Sequence, residues 1–268
     1  MNTIAREEQI KKVLVVVAGA AGEIGTEYIK RNIIEEHQTI AVLRNTGIDI
    51  KSDNLESIIC HLDDAQDITK KFRHVDLSRY SHIIYLHTIG VDKFNPRNYP
   101  NVVKMETIDP DVYDTNVNSF KYLLRYLVSR VKNLNEAGGT TQLKVVALTG
   151  TSDKYAPFVI EDFCEAKFII REYMRSYISR FPEWFSSLCI NVTSTITKSA
   201  IAVRPFASTK YWLTPAEVVE KSYESFISFP GGYQELDLMK YSPDYIEGYY
   251  EDEKMLYEKW SAETGITG

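Results

Sequence analysis

Apolar positions in this chain fall into short unbroken runs, separated by stretches with a helical period. Val13 to Val17 is wholly apolar and largely β-branched, the pattern of a strand buried on both faces in a parallel sheet. Gly19, Gly22 and Gly25 follow at a spacing of three, and a helical pattern then runs from Ile24 through Tyr28 and Ile29 to Ile33. Further strands are expected at Thr39 to Leu43, Leu55 to Leu62, His82 to Leu86, Leu143 to Leu148, Ser187 to Val192 and Gln234 to Met239. Helices are expected at Asp64 to Phe72, Val112 to Leu134 and Glu161 to Arg180. Another should run from Pro215 through Phe226, capped by Thr214. A Pro- and Asn-rich loop should join Val91 to Pro110. Alternating strands and helices predict an α/β fold: a Rossmann-type doubly wound parallel sheet of about seven strands with helices on both faces. One domain should span 1–268, and ligands of such sheets bind outside the carboxyl ends of the strands.

The strand, glycine turn and helix of residues 13–33 form an arrangement that aims free backbone N–H groups at a pyrophosphate. The helix dipole adds about 0.3–1 kcal/mol for an anion placed there. The three glycines serve a tight turn, close approach of a phosphate, and close packing of helix on strand. An ordinary βα turn is the alternative, but the right period on both flanks favours a dinucleotide site.

Composition narrows the class. Lys11 and Lys12, the apolar run and Ala18-Gly19-Ala20 imitate a secretory signal, yet the run is short and Val-rich, and cleavage would remove the first strand. No stretch approaches the roughly 18 apolar residues that span a bilayer, so a soluble, cytoplasmic protein without membrane attachment is expected. A net charge of −6 argues against nucleic-acid binding. Cys60, Cys164 and Cys189 are widely spaced and read as reduced, buried thiols, and the five histidines lack metal-ligand spacing. No metal is expected.

Taken together, these positions resemble the short-chain dehydrogenase/reductase superfamily. Gly19-x-x-Gly22-x-x-Gly25 is similar to its extended branch, whose helix with an Asn-Val pair is matched by Tyr113 to Leu124, with Asn116 at the family's asparagine. Leu148 to Ala156 resembles the serine-rich strand end followed by a tyrosine, with Thr151 at the hydroxyl that holds the substrate oxygen. The chain length and the segment TPAEVVEKSYESF are closer to the shorter branch. The resemblance implies hydride transfer between a nicotinamide and a carbonyl or carbinol carbon. A tyrosine gives or takes the proton, and a lysine one helical turn on lowers its pKa and holds the nicotinamide ribose.

Phe163-Cys164-Glu165-Ala166-Lys167 stands where that family carries YxxxK, so the lysine is present and the tyrosine is replaced by a ring with no proton to give. Three explanations stay open. Another hydroxyl has taken over, with Tyr155 the first candidate beside Thr151; or the substrate needs no enzymic acid there; or the protein binds a dinucleotide as a sensor or partner-binding protein without turnover. A sugar-nucleotide epimerase or dehydratase with retained cofactor is a further reading.

By the resemblance, Glu23, Ile24 and the glycines would face the pyrophosphate, His61 and Leu62 the adenine, and His87 and Thr88 the ribose and nicotinamide. Thr195 takes the place of the family's proline. Arg44 stands at the end of the second strand, where NAD-selective members carry an acid. A guanidinium suits a 2′-phosphate, so NADP is the expected cofactor, with NAD the alternative. A lid at about 194–215 carries Lys198, Arg204 and Lys210 and no acid before Glu217. Arg204, Lys198 and Phe163 are the expected contacts to a small polar substrate, anionic in this reading. An acidic, aromatic tail helix at about 243–261 should close over its own domain. A homodimer through the 112–134 and 161–180 helices is expected by analogy.

Overall fold

The computed structural model describes residues 12–45, 47–91, 108–155, 157, 160–240, 242–243 and 248–265. Most of the 91–110 loop, and Ile246 of the tail, lie outside them. Seven strands form one sheet: β1 (Val13–Ala18), β2 (Gln38–Leu43), β3 (Leu55–Ile59), β4 (His82–His87), β5 (Gln142–Gly150), β6 (Phe185–Val192) and β7 (Gly232–Leu238). Their order is β3-β2-β1-β4-β5-β6-β7, and every neighbouring pair is parallel. The order reverses between β1 and β4, which opens a crevice at their carboxyl ends.

Strand residues alternate between the two faces, so each face has its own core. Leu14, Val16, Ile83, Tyr85, Val145 and Cys189 pack under α2 (Ala65–Phe72), α4 (Ser119–Glu136) and α5 (Glu161–Arg180). Val15, Val17, Ile84, Leu86, Val146 and Ile190 pack under α1 (Glu23–Ile34) and α7 (Pro215–Ile227). Thr214 caps α7 reciprocally with Glu217. Lys144 crosses the second core and donates to the Ser225 and Ser228 carbonyls at the far end of the same helix. Burial pushes its ammonium down to about 8.

The structure departs from the pattern in four places. The third strand stops at Ile59, because the chain turns at His61–Asp64 and Asp64 caps α2 through the Gln66 and Asp67 amides. The helix expected over 112–134 is broken into α3 (Pro110–Tyr113), a π turn (Asp114–Asn118) and α4. There the Asn116 side chain donates to the Val112 carbonyl, 2.9 Å, which the backbone of a regular α-helix would use. The fifth and sixth strands are longer than expected, pairing from Leu143–Phe185 to Gly150–Val192. The tail helix is confined to α8 (Glu253–Thr264), preceded by a turn at Gly248, whose φ is +77°. Tyr249, Leu256 and Trp260 are buried there against Ile160, Tyr250 and Met255. Between β6 and α7 runs the segment expected as a lid; it contains α6 (Lys198–Val203) and a bridge between Thr195 and Leu213. Among the described residues no helix is long and apolar enough to cross a membrane. Cys60, Cys164 and Cys189 are buried.

Candidate functional site

The turn after β1 is built around contact distances that exclude side chains. Gly19 has φ +82°, and a Cβ there would strike the Thr88 hydroxyl. A Cβ on Gly25 would collide with the Gly19 carbonyl, which lets α1 lie directly on the turn. Thr88 at the end of β4 braces this arrangement, its hydroxyl lying 3.0 Å from the Ala18 carbonyl and 3.2 Å from that of Gly19. Gly22 caps α1 without a side chain, and it and Ala21 are exposed. The first turn of α1 therefore starts at an exposed surface. Glu23 edges it, its carboxylate accepting the Lys198 amide at 2.6 Å and tying the lid to the turn.

Beside the turn, α5 carries Lys167 into the interior. Its ammonium donates to the Ile89 carbonyl, 2.8 Å, and lies 5.1 Å from the centroid of the Phe163 ring. Burial pushes it down to about 8, although Asp153 pulls in the opposite direction. His87 is fully buried, and burial followed by the charge of Lys167 keeps it well below the ordinary imidazole range. Its Nε2 lies 3.1 Å from the Ser119 hydroxyl, which itself donates to the Thr115 carbonyl, so Nε2 carries the proton. Asn116 fastens Val91 to the π turn, donating to its carbonyl at 2.9 Å.

At the carboxyl end of β5, Thr151 is followed by a buried polar cluster. Asp153 accepts the Gly150 amide at 2.6 Å, and Arg171, one helical turn beyond Lys167, reaches it at 3.5 Å and Asn191 at 2.7 Å. Burial outweighs those partners and lifts the Asp153 carboxyl to about 6. Asn191 continues outward to Asp237 at 2.6 Å and Glu235 at 3.1 Å. Lys154 and Arg175 close the rim on the same two acids.

The lid and tail enclose a cavity of about 90 Å³ bordered by Ser194, Arg204, Trp212, Tyr250, Lys259 and Trp260. Arg204 bonds to Ser194 at 2.7 Å and Glu263 at 3.2 Å, stacked over Trp212 and Trp260. Among the described residues no group of three or more His, Cys, Asp or Glu side chains is placed to hold a metal.

No protein-family profile and no curated protein sequence matches the chain. Solved structures do. The NADH complex of 3-ketoacyl-(acyl-carrier-protein) reductase from Brucella melitensis superposes with a TM-score of 0.64 at 14% identity, covering 84% of this chain and 96% of that one. A short-chain dehydrogenase from Burkholderia cenocepacia in complex with NADP gives 0.65 at 11%, covering 97% and 100%. An actinorhodin polyketide ketoreductase variant with NADPH gives 0.67 at 16%, covering 85% and 95%. The chain has the short-chain dehydrogenase/reductase fold.

Within that fold, the expected site residues separate into two groups. Gly19, Gly22, Glu23, Ile24, Gly25 and Thr88 meet around the glycine turn, and Lys167 with Phe163 borders Gly90 just past β4. Arg44 is exposed at the end of β2, as is His61 after β3, while Leu62 is buried. Thr195 is buried, its hydroxyl on the Thr193 carbonyl. Lys198 is exposed on α6. Tyr155 is 53% exposed and stacks on Tyr250. The hydroxyl that meets Thr151 belongs to Tyr250, at 3.3 Å. Sequence reasoning missed Tyr250 and the Asp153–Arg171 contact. The tyrosine-rich tail was visible, but which ring returns to β5 depends on the turn at Gly248.

Proposed function

We propose that the protein is an NAD(P)(H)-dependent oxidoreductase, preferring NADP(H), that acts on a small polar carbonyl or alcohol. The observation that carries this reading is the glycine turn: Gly19, Gly25 and Thr88 interlock so closely that no side chain fits, while Ala21 and Gly22 stay open to solvent. An exposed helix start free of a capping side chain fits a pyrophosphate. Glu23 and Ile24 would hold it by their amides, the Gly22 amide being engaged by the Gly19 carbonyl at 2.9 Å; Arg44 would meet a 2′-phosphate, and Lys167 would sit on the nicotinamide side. The cofactor named in three neighbouring structures is of the same class. When bound, it would supply or accept a hydride. The protein's own part is to hold the substrate oxygen at Thr151, to exclude water with the lid and tail, and to furnish a proton.

The substrate reading is narrower than the sequence suggested. Arg204 is already paired with Glu263 and wedged between two indoles, so an anionic group would have to share it. A sensor that binds the dinucleotide without turnover is the second reading, favoured by Phe163 lying over Lys167 where a phenol would be needed. Titration of the protein with NADPH and with NADH, followed by fluorescence, tests the common premise. Micromolar binding of NADPH with weaker NADH is expected, and binding of neither overturns both readings. Consumption of NADPH with a carbonyl substrate then separates enzyme from sensor.

A further inference from the structure

Phe163 leaves the site without its usual source of a proton, and the tail brings another hydroxyl to Thr151 at the end of β5. Tyr250, in the turn before α8, directs its oxygen to 3.3 Å from that of Thr151. Two hydroxyls at that separation can both reach one ligand oxygen. The ring is clamped on two sides. Tyr155 stacks on it at 5.4 Å and 18°, and Tyr249 meets it edge-on at 5.0 Å and 86°. Tyr250 also borders the cavity of about 90 Å³ between lid and tail, so its side chain lies between that cavity and the end of β5.

We propose that Tyr250 is the catalytic acid of this site, acting with Thr151 on the substrate oxygen. The proposal rests on the oxidoreductase reading above. As the carbonyl carbon accepts a hydride from a reduced nicotinamide dinucleotide, its C=O π pair moves onto oxygen. That oxygen takes the Tyr250 proton to complete the alcohol, and the phenolate recovers a proton from water. In the reverse direction the phenolate removes the alcohol proton as hydride leaves the carbon. Burial raises the Tyr250 phenol above its ordinary range, and Thr151 and Arg204 pull it down while Tyr249 and Cys164 push it up. The exchange also explains how α5 can carry phenylalanine: the proton has moved from helix to tail, while Lys167 keeps its place in the floor.

The experiment compares wild type, Tyr250→Phe and Tyr155→Phe. Turnover of NADPH is followed with glyoxylate, pyruvate, succinate semialdehyde and phenanthrenequinone, and NADPH affinity by fluorescence. Tyr250→Phe should lower kcat by roughly 10²-fold, with NADPH affinity and melting temperature close to wild type. Tyr155→Phe keeps the stacked ring and should lose far less. A carbon-NMR titration of labelled tyrosine, without cofactor, should show the Tyr250 resonance, identified by its loss in Tyr250→Phe, ionising above the ordinary tyrosine range. Active wild type with undiminished Tyr250→Phe, a larger loss in Tyr155→Phe, or ionisation of Tyr250 below that range overturns this assignment alone. Wild type that binds NADPH but consumes it with no carbonyl of the panel overturns the oxidoreductase reading and this assignment with it.

Discussion

Lys167 lies beneath Phe163, its ammonium 5.1 Å from the ring centroid, and it is anchored to the Ile89 carbonyl at 2.8 Å. The pair keeps the i, i+4 geometry that would couple a phenol to an ammonium on one helix face. Here the cation meets a ring quadrupole in place of a phenol, and its buried charge is compensated by the Ile89 carbonyl, the ring and the charge of Asp153. Phe163→Tyr should therefore create a phenol that ionises below the ordinary tyrosine range. An ultraviolet difference titration against wild type would show the added low-pH step. A new tyrosine that titrates in the ordinary range would mean that the ammonium does not reach it.

Gly25 lies where a methyl group would run into the Gly19 carbonyl. Gly25→Ala must push α1 away from the turn, with a cost of about 1–3 kcal/mol for overpacking. A lower melting temperature and NADPH binding weakened at least tenfold (about 1.4 kcal/mol) are expected. Unaltered binding would show that the turn does not hold the phosphates.

Arg44 is exposed at the end of β2. Arg44→Asp would exchange a donor for a 2′-phosphate for an acceptor for a ribose hydroxyl. The ratio of NADPH to NADH affinity should fall by about tenfold or more, the worth of a charge-assisted hydrogen bond of about 1.5–3 kcal/mol. An unchanged ratio would make Arg44 a surface charge only.

The Asp153 carboxyl is lifted by burial from 3.8 to about 6. The folded protein thus holds this proton more tightly than the unfolded chain. Its stabilising contribution is complete below about pH 4 and is lost as pH rises through about 6, up to ~3 kcal/mol in all. Relative to Asp153→Asn, wild type should lose stability across that window. Urea melts of both proteins at either end would measure it. A constant difference between them would show that Arg171 keeps the carboxyl ionised throughout.

Arg204 pins the lid to α8 through Glu263, with both side chains mostly buried, and fills the space between Trp212 and Trp260. Arg204→Ala should cost about 1–3 kcal/mol, since it strands the Glu263 carboxylate and opens a gap between the indoles. Red-shifted tryptophan emission and a lower melting temperature would report it. Unshifted emission would show that the lid stays seated without the arginine.

The strand and helix succession was legible along the chain because unbroken Val- and Ile-rich runs suit only strands covered on both faces, as Val13 to Ala18 are. The glycine turn was legible for a related reason: close approach of backbone to backbone permits one residue type, and Gly19, Gly22 and Gly25 stand at the required spacing. Lys167 was recognisable beside Phe163, since four residues bring side chains to one helix face. Tertiary structure alone decided the rest. Thr151 and Tyr250 are 99 residues apart, and their contact depends on where a turn and α8 dock, which no local period encodes. Arg204 looked like a free cation until the tail supplied Glu263 and Trp260. The pairing of Asp153 with Arg171 likewise depends on how α5 packs against the end of β5. Local sequence sets which conformations the backbone can take; the environment of a charge is set by segments that arrive from elsewhere in the chain.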